Sequence, residues 1–143
     1  EEFSQAPLEV LVPEEKLAEA LKLHLTENRS LILWNNQGQL RPAVLPREAQ
    51  YSTVNAILAD DFNDDGTTDL LLGGNDYNYK PQFGRQDATM GWLCFGEKRV
   101  EGVTFTDCRS LGIFGQIRAI EKINPNQIIV GVNDGEIKVY EKD

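Results

Sequence analysis

The chain has 143 residues, enough for one domain with a real core, and its 41% apolar and 26% charged residues fall in the globular range. A formal net charge of −9 argues against nucleic acid and acidic lipid surfaces, whose recognition relies on Lys and Arg at phosphates, and no basic stripe offsets it. No apolar run approaches the roughly 20 residues of a membrane-spanning helix. No signal peptide is present, and the opening Glu1-Glu2 is read as the start of a piece whose upstream segment lies outside this sequence.

Residues 1–12 show little periodicity and are expected to form an irregular lead-in. Pro13 fits the first turn of a helix, and Glu14 and Glu15 follow where the helix dipole favours acids. Leu17, Ala20, Leu21 and Leu25 then recur at helical spacing, which predicts one amphipathic helix ending near Glu27-Asn28. Residues 1–29 are thereby set apart from 30–143. His24, the only histidine, lies on or beside the apolar face. It reads as a packing or boundary residue, because no second His or Cys accompanies it as a metal site would require.

From Ser30 onward the pattern changes to short strands and turns. Strands are predicted at 31–34 and 40–45, the second placed at an edge by Pro42. Further strands are predicted at 54–60, 69–74, 91–96, 103–107, 117–123, 127–133 and 136–141, the last pair joined by the tight-turn signal Asn133-Asp134-Gly135. Cys94 and Cys108 fall on two strands of one hairpin. With Phe95 facing Val103, Cys94 faces Thr104 and Cys108 faces Met90, a register that keeps the sulfurs apart and predicts two unpaired, partly buried thiols. On that register the cysteines say little about compartment.

The most informative stretch lies between the strands at 54–60 and 69–74. Asp61, Asn63, Asp65 and Asp69 place oxygen ligands at loop positions one, three, five and nine, and Gly66 stands at position six. Calcium is a hard cation that takes six to eight oxygens, and an Asp-x-Asn-x-Asp-Gly turn bends the backbone around such an ion. Position twelve is Leu72 rather than a bidentate Glu, and the flanks read as strands, so the loop is not an EF-hand. The plain alternative is an acidic turn, since Asn, Asp and Gly favour turns without any metal. Against it stands repulsion: carboxylates converging within about 4–5 Å repel by roughly 1–4 kcal/mol a pair, and a cation removes that cost. The expected ligands are the side chains of Asp61, Asn63, Asp65 and Asp69 with the Thr67 carbonyl. Asp60 and Asp64 are read as solvated neighbours.

Nine short strands with hairpin connections and one helix predict an all-β fold. Residues 54–107 supply four strands, the content of one propeller blade, with about half a blade before them and most of another after. The fold class is therefore read as all-β with one N-terminal helix, a partial β-propeller of about two four-stranded blades plus half a blade. The second repeat, at 117–141, lacks the acidic loop.

Residues 61–75 match Asp-Phe-Asn-x-Asp-Gly-x-x-Asp-Leu-Leu-Leu-x-Gly-Asn, and in this the chain resembles the FG-GAP/VCBS repeats of integrin-like β-propellers. Segments such as Leu45-Pro46-x-Glu48-Ala49-Gln50 and Gly84-Arg85-x-Asp87-Ala88-x-x-Gly91 are similar to the C-terminal portion of long secreted proteins of Bacteroidetes type. The resemblance spans roughly 30–141 and implies a calcium-stabilised blade on a secreted, periplasmic or cell-surface protein. It implies a scaffold rather than a chemistry. Two departures stand out. Asp64 replaces the usual small residue at loop position four, and the Gly-Ala-Pro half of the namesake motif is absent. A full propeller needs more blades than this chain builds, so the remaining blades of a parent chain are expected partners.

The polar segment 75–90 is the expected recognition surface, with Tyr77, Tyr79, Arg85 and Asp87 as candidate contacts for a protein or glycan. An ordered Tyr–Arg–Asp loop packed between blades is the plainer alternative. No Ser/His/Asp constellation exists, the cysteines lack a His partner, and the paired carboxylates coincide with the calcium loop. The expected function is a non-enzymatic calcium-binding propeller module. The alternative is the propeller portion of a secreted carbohydrate-active enzyme, whose carboxylates would require a cleft.

Overall fold

A computed structural model of the chain describes residues 2–100 and 102–142. Nine strands are present among them, close to the predicted nine: β1 (Leu31–Asn36), β2 (Gln39–Val44), β3 (Val54–Asp60), β4 (Asp69–Gly74), β5 (Trp92–Arg99), β6 (Gly102–Ser110), β7 (Gln116–Asn124), β8 (Gln127–Asn133) and β9 (Lys138–Glu141). They form three antiparallel sheets, β1-β2, β3-β4-β5-β6 and β7-β8-β9, each with neighbouring strands in chain order. The fold is all-β, and the three sheets do not close into a ring.

The expected N-terminal helix is corrected. Among the described residues α-helix is confined to three short pieces, α1 (Glu2–Gln5), α2 (Leu8–Leu11) and α3 (Glu14–Glu19), so the lead-in is partly helical and the longer helix stops well short of Glu27. The reason lies in the pattern beyond Glu19. Leu21, Leu23 and Leu25 alternate with Lys22 and His24, which suits an extended chain, and the three leucines are 83%, 82% and 81% exposed. A short helix is marginal without a surface to pack on, and α3 buries no residue. His24 is accordingly exposed rather than packed.

The four-stranded sheet is the middle layer. Every residue of β4 is buried, and its run Leu70-Leu71-Leu72 sends side chains to both faces. Leu70 and Leu72 join Leu45, Ala49, Cys94 and Phe105 in a core closed by Ile32 and Trp34 of β1. Leu71 and Ala56 join Ile113, Ile117, Ile120 and Val130 on the opposite face, under the β7–β9 sheet. Burying an aliphatic side chain of this size contributes roughly 1.5–3 kcal/mol, so β4 anchors both cores at once. Trp34 stacks on Phe105 with ring centroids 6.5 Å apart.

The cysteine expectation is overturned. Cys94 and Cys108 form a disulfide across β5 and β6, with Cα atoms 4.0 Å apart. The hairpin turns between Arg99 and Gly102, later than the expected register places it, so Lys98 rather than Phe95 lies opposite Val103. A bulge between Phe95 and Gly96 then brings Cys94 directly opposite Cys108. A β-bulge leaves little trace in a strand's alternation, and one residue of slip decides which side chains meet.

The first two strands of the third sheet repeat those of the second. Val54 lies opposite Gly74 and Ala56 opposite Gly73, with Asn55 bulged between them; Ile117 lies opposite Val132 and Ala119 opposite Gly131, with Arg118 bulged. The sequences agree as Val54-x-Ala56-Ile57 with Ile117-x-Ala119-Ile120, and as Gly73-x-Asn75-Asp76 with Gly131-x-Asn133-Asp134. The third sheet is thus a shortened copy of the second, with a tight turn in place of the acidic loop.

Candidate metal centre

The acidic loop leaves β3 at Asp60 and enters β4 at Asp69, two residues that face each other across the ladder. Its backbone turns through two left-handed residues, Asp64 at φ 60° and Gly66 at φ 76°. Asp and Asn tolerate this region better than most side chains, which explains how Asp64 stands where the resembled repeats carry a small residue.

Backbone N–H groups hold the carboxylates in place. Asp61 accepts from Asp65 N at 3.1 Å and from Gly66 N at 2.8 Å. Asn63 Oδ1 accepts from the same Asp65 N at 3.2 Å, so oxygens from loop positions one and three converge on one amide. Asp65 accepts from Thr67 N at 2.7 Å and from Asn63 Nδ2 at 2.9 Å. The Asn63 amide, followed by Thr67, holds the Asp65 carboxyl below its ordinary pKa. Asp69 is fully buried, with Oδ2 accepting from Phe62 N at 2.9 Å and Oδ1 from Gly96 N at 2.8 Å. Gly96 is required for that last contact, since a Cβ there would lie 2.1 Å from the Thr68 carbonyl oxygen.

These bonds bring Asp61, Asn63 and Asp65 together, hard oxygen donors of the kind that calcium selects over soft sulfur and nitrogen ligands, while Asp69 bonds to Phe62 N and Gly96 N. Each carboxylate oxygen has a second lone pair beyond its N–H partner, so these hydrogen bonds orient Asp61, Asp65 and Asp69 without exhausting them. Among the described residues no group of three or more His, Cys, Asp or Glu side chains is arranged as a metal centre. Asn63 and the Thr67 carbonyl, two of the five expected ligands, are outside any such grouping.

Lysines from distant strands border the loop. Lys142 pairs with Asp64 at 2.6 Å, and Lys122 of β7 pairs with Asp60, whose carboxyl is held below the usual range mainly by that contact. The two aspartates read as solvated neighbours are thus paired with lysines. Sequence spacing could not show this, because the lysines lie 62 and 78 residues along the chain from their partners. A cavity of about 230 Å³ opens beside the loop between the second and third sheets, floored by Phe62, Leu71 and Tyr140 and rimmed by Asp61, Lys122 and Lys142.

The expected ligand surface is partly assembled. Arg85 lies over the Tyr77 ring at 3.8 Å from its centroid and faces Asp87 at 3.8 Å. Tyr79 is exposed to 42% and does not share this stack. The segment is tied down rather than free: Asp76 and Gln86 bond reciprocally, Tyr77 N donates to Gln116 Oε1 at 2.9 Å, and Arg118 faces Asp76 at 3.9 Å. Asn75 was not singled out by sequence, yet it is 1% exposed and its amide donates to Thr89 O and Gly115 O, joining this segment to the start of β7. Its signal was the Asn-Asp pair repeated at the end of β8, Asn133-Asp134.

Comparisons with protein-family models, with curated proteins and with solved structures return no match.

Proposed function

We propose that this chain is a calcium-stabilised β-sheet module of FG-GAP/VCBS type, non-enzymatic, from a secreted, periplasmic or cell-surface protein. The observation that carries the reading is the loop at 61–69, where Asp61, Asn63, Asp65 and Asp69 stand at ligand spacing and are oriented by the loop's own N–H groups. Calcium bound by these side chains and the Thr67 carbonyl would offset their mutual repulsion and tie β3 to β4. The sequential four-stranded sheet with stacked sheets on both faces supports the propeller-blade comparison. The Cys94–Cys108 disulfide supports an oxidising compartment, where such bonds persist. Tyr77, Arg85 and Asp87, with Tyr79 beside them, form the surface offered to a protein or glycan.

Thermal unfolding of chelator-treated protein tests the reading. Saturating calcium at a hundredfold excess over Kd adds about 2.7 kcal/mol, or about 10 °C in Tm for a domain of this size. An unchanged Tm would remove the calcium reading. The surface is tested by glycan or protein capture with Tyr79→Ala and Arg85→Ala, where undiminished binding would move the site elsewhere.

A further inference from the structure

The acidic loop is densely negative and has no positive charge of its own. Residues 60–69 hold five aspartates and no Lys or Arg. The ammonium groups that meet it come from three other places in the chain. Lys142 pairs with Asp64 at 2.6 Å, and Lys122 of β7 pairs with Asp60. Lys98 of β5 reaches over position six of the loop, where a Cβ on Gly66 would lie 3.8 Å from its Nζ. The Lys142 N–H donates to Asn126 O at 2.8 Å, which ties its backbone to the turn between β7 and β8 while its side chain crosses to the loop. The Lys122 and Lys142 side chains are only 38% and 33% exposed, so their charges are screened less than those of freely solvated lysines.

An ammonium beside these carboxylates acts in two opposite ways. In calcium-free protein it offsets their mutual repulsion. Beside a bound dication the same ammonium is a like charge and opposes binding. Calcium and the lysines therefore compete for the same carboxylate field. The competition is reciprocal: by whatever factor a lysine pair lowers calcium affinity, calcium weakens that pair. Lys122 lies on β7 and Lys142 is anchored to the β7–β8 turn, so the pairs that calcium weakens are those that tie the third sheet to the loop.

We propose, on the calcium reading of this loop, that Lys98, Lys122 and Lys142 are tethered counterions that hold the carboxylates together in calcium-free protein and set the loop's calcium affinity low. A loop built this way keeps its fold where calcium is scarce and takes the ion only where calcium is abundant, as weak extracellular sites do. The ligand spacing fixes which ion is taken, and the lysines fix how much of it is needed.

Calorimetric titration of the chelator-stripped full chain with calcium at low salt, paired with thermal melts in chelator, tests this on Lys98→Gln, Lys122→Gln, Lys142→Gln and the triple variant. Each single variant is expected to bind calcium about two- to sixfold more tightly, and the triple variant about tenfold or more, with the effect shrinking as salt screens it. Each is also expected to melt earlier in chelator. Movement of affinity and stability in opposite directions marks a counterion, since a lysine needed only for packing would lower both. Lys138→Gln, at the far end of β9 from Lys142, removes the same charge away from the loop and is expected to change neither. Should the triple variant fail to fold, the single variants carry the test. A wild-type chain that binds calcium as tightly as the lysine variants overturns the proposal and leaves the calcium reading standing. A wild-type chain that gives no heat beside variants that bind supports it, with the lysines excluding the ion. Absence of binding in every variant removes the calcium reading and the proposal together.

Discussion

Asp69 and Asp65 sit four residues apart and differ in what they do. Asp69 is fully buried and satisfies two backbone N–H groups, Phe62 and Gly96, from two separate segments. Asp69→Ala strands both donors, each costing about 1–3 kcal/mol, so urea unfolding is expected to show a loss of about 2–5 kcal/mol in chelator and a larger one in calcium, where a ligand is lost as well. Asp65 is exposed, and its bonds run within the loop. Asp65→Ala is therefore expected to lose most of the calcium-linked term, about 2.7 kcal/mol at a hundredfold excess, and much less in chelator. Equal losses in both conditions would deny Asp65 a metal role. Acid acts on the same cluster. The carboxyls of Asp60 and Asp65 are held low by Lys122 and by Asn63, so their contribution is complete above the unfolded value of about 3.9. It is lost as pH falls through the folded values. Stability in chelator is expected to decline below about pH 4, and Lys122→Gln to make that decline shallower, because Asp60 then titrates nearer its unfolded value.

The elements show what a sequence discloses and what it hides. The Leu70-Leu71-Leu72 run and the Asn133-Asp134-Gly135 turn announce β4 and the last hairpin because burial and turn chemistry are local properties. The helix beyond Glu19 was misread because Leu21 and Leu25 fit a helical period while Leu23 fits only an alternating one, and the absence of a packing surface left the extended form. The β5–β6 register was misread because a bulge at Phe95/Gly96 and the position of the turn are decided by pairing, which no single strand records. At the acidic loop the oxygen-bearing residues and their spacing are local and stand in the sequence. The Gly96 donor and the Lys122 and Lys142 partners were not legible there, because they arrive from segments distant in sequence. The disulfide gives this scale its test. It closes a hairpin with a sequence separation of 14, and Cys94→Ala with Cys108→Ala is expected to cost about 2–4 kcal/mol in urea. Unfolding free energy unchanged within error would mean that the strands are held by packing alone.

At the scale of the whole molecule, three sheets stack through two cores, and the junctions depend on close approach. Gly73 and Gly131 occupy equivalent places in the repeat, yet one is filled by Ile117 and the other is open. Gly73→Ala is expected to push the second and third sheets apart and lower stability by about 1–3 kcal/mol, as overpacking does. Gly131→Ala is expected to leave the fold intact, and thermal melts of the two variants compare them directly. The acidic loop lies beside the first of these junctions, with Lys122 of β7 and Lys142 beyond β9 reaching it. Calcium there would brace the middle layer where the third sheet packs. Calorimetric titration of chelator-stripped protein with calcium tests this most directly. The expected result is one ion per chain with a Kd of about 10⁻⁵ to 10⁻³ M, weak because no bidentate Glu completes the cage, and abolished in Asp65→Ala. Absence of binding heat in the wild-type chain, or the same heat in Asp65→Ala, would contradict it.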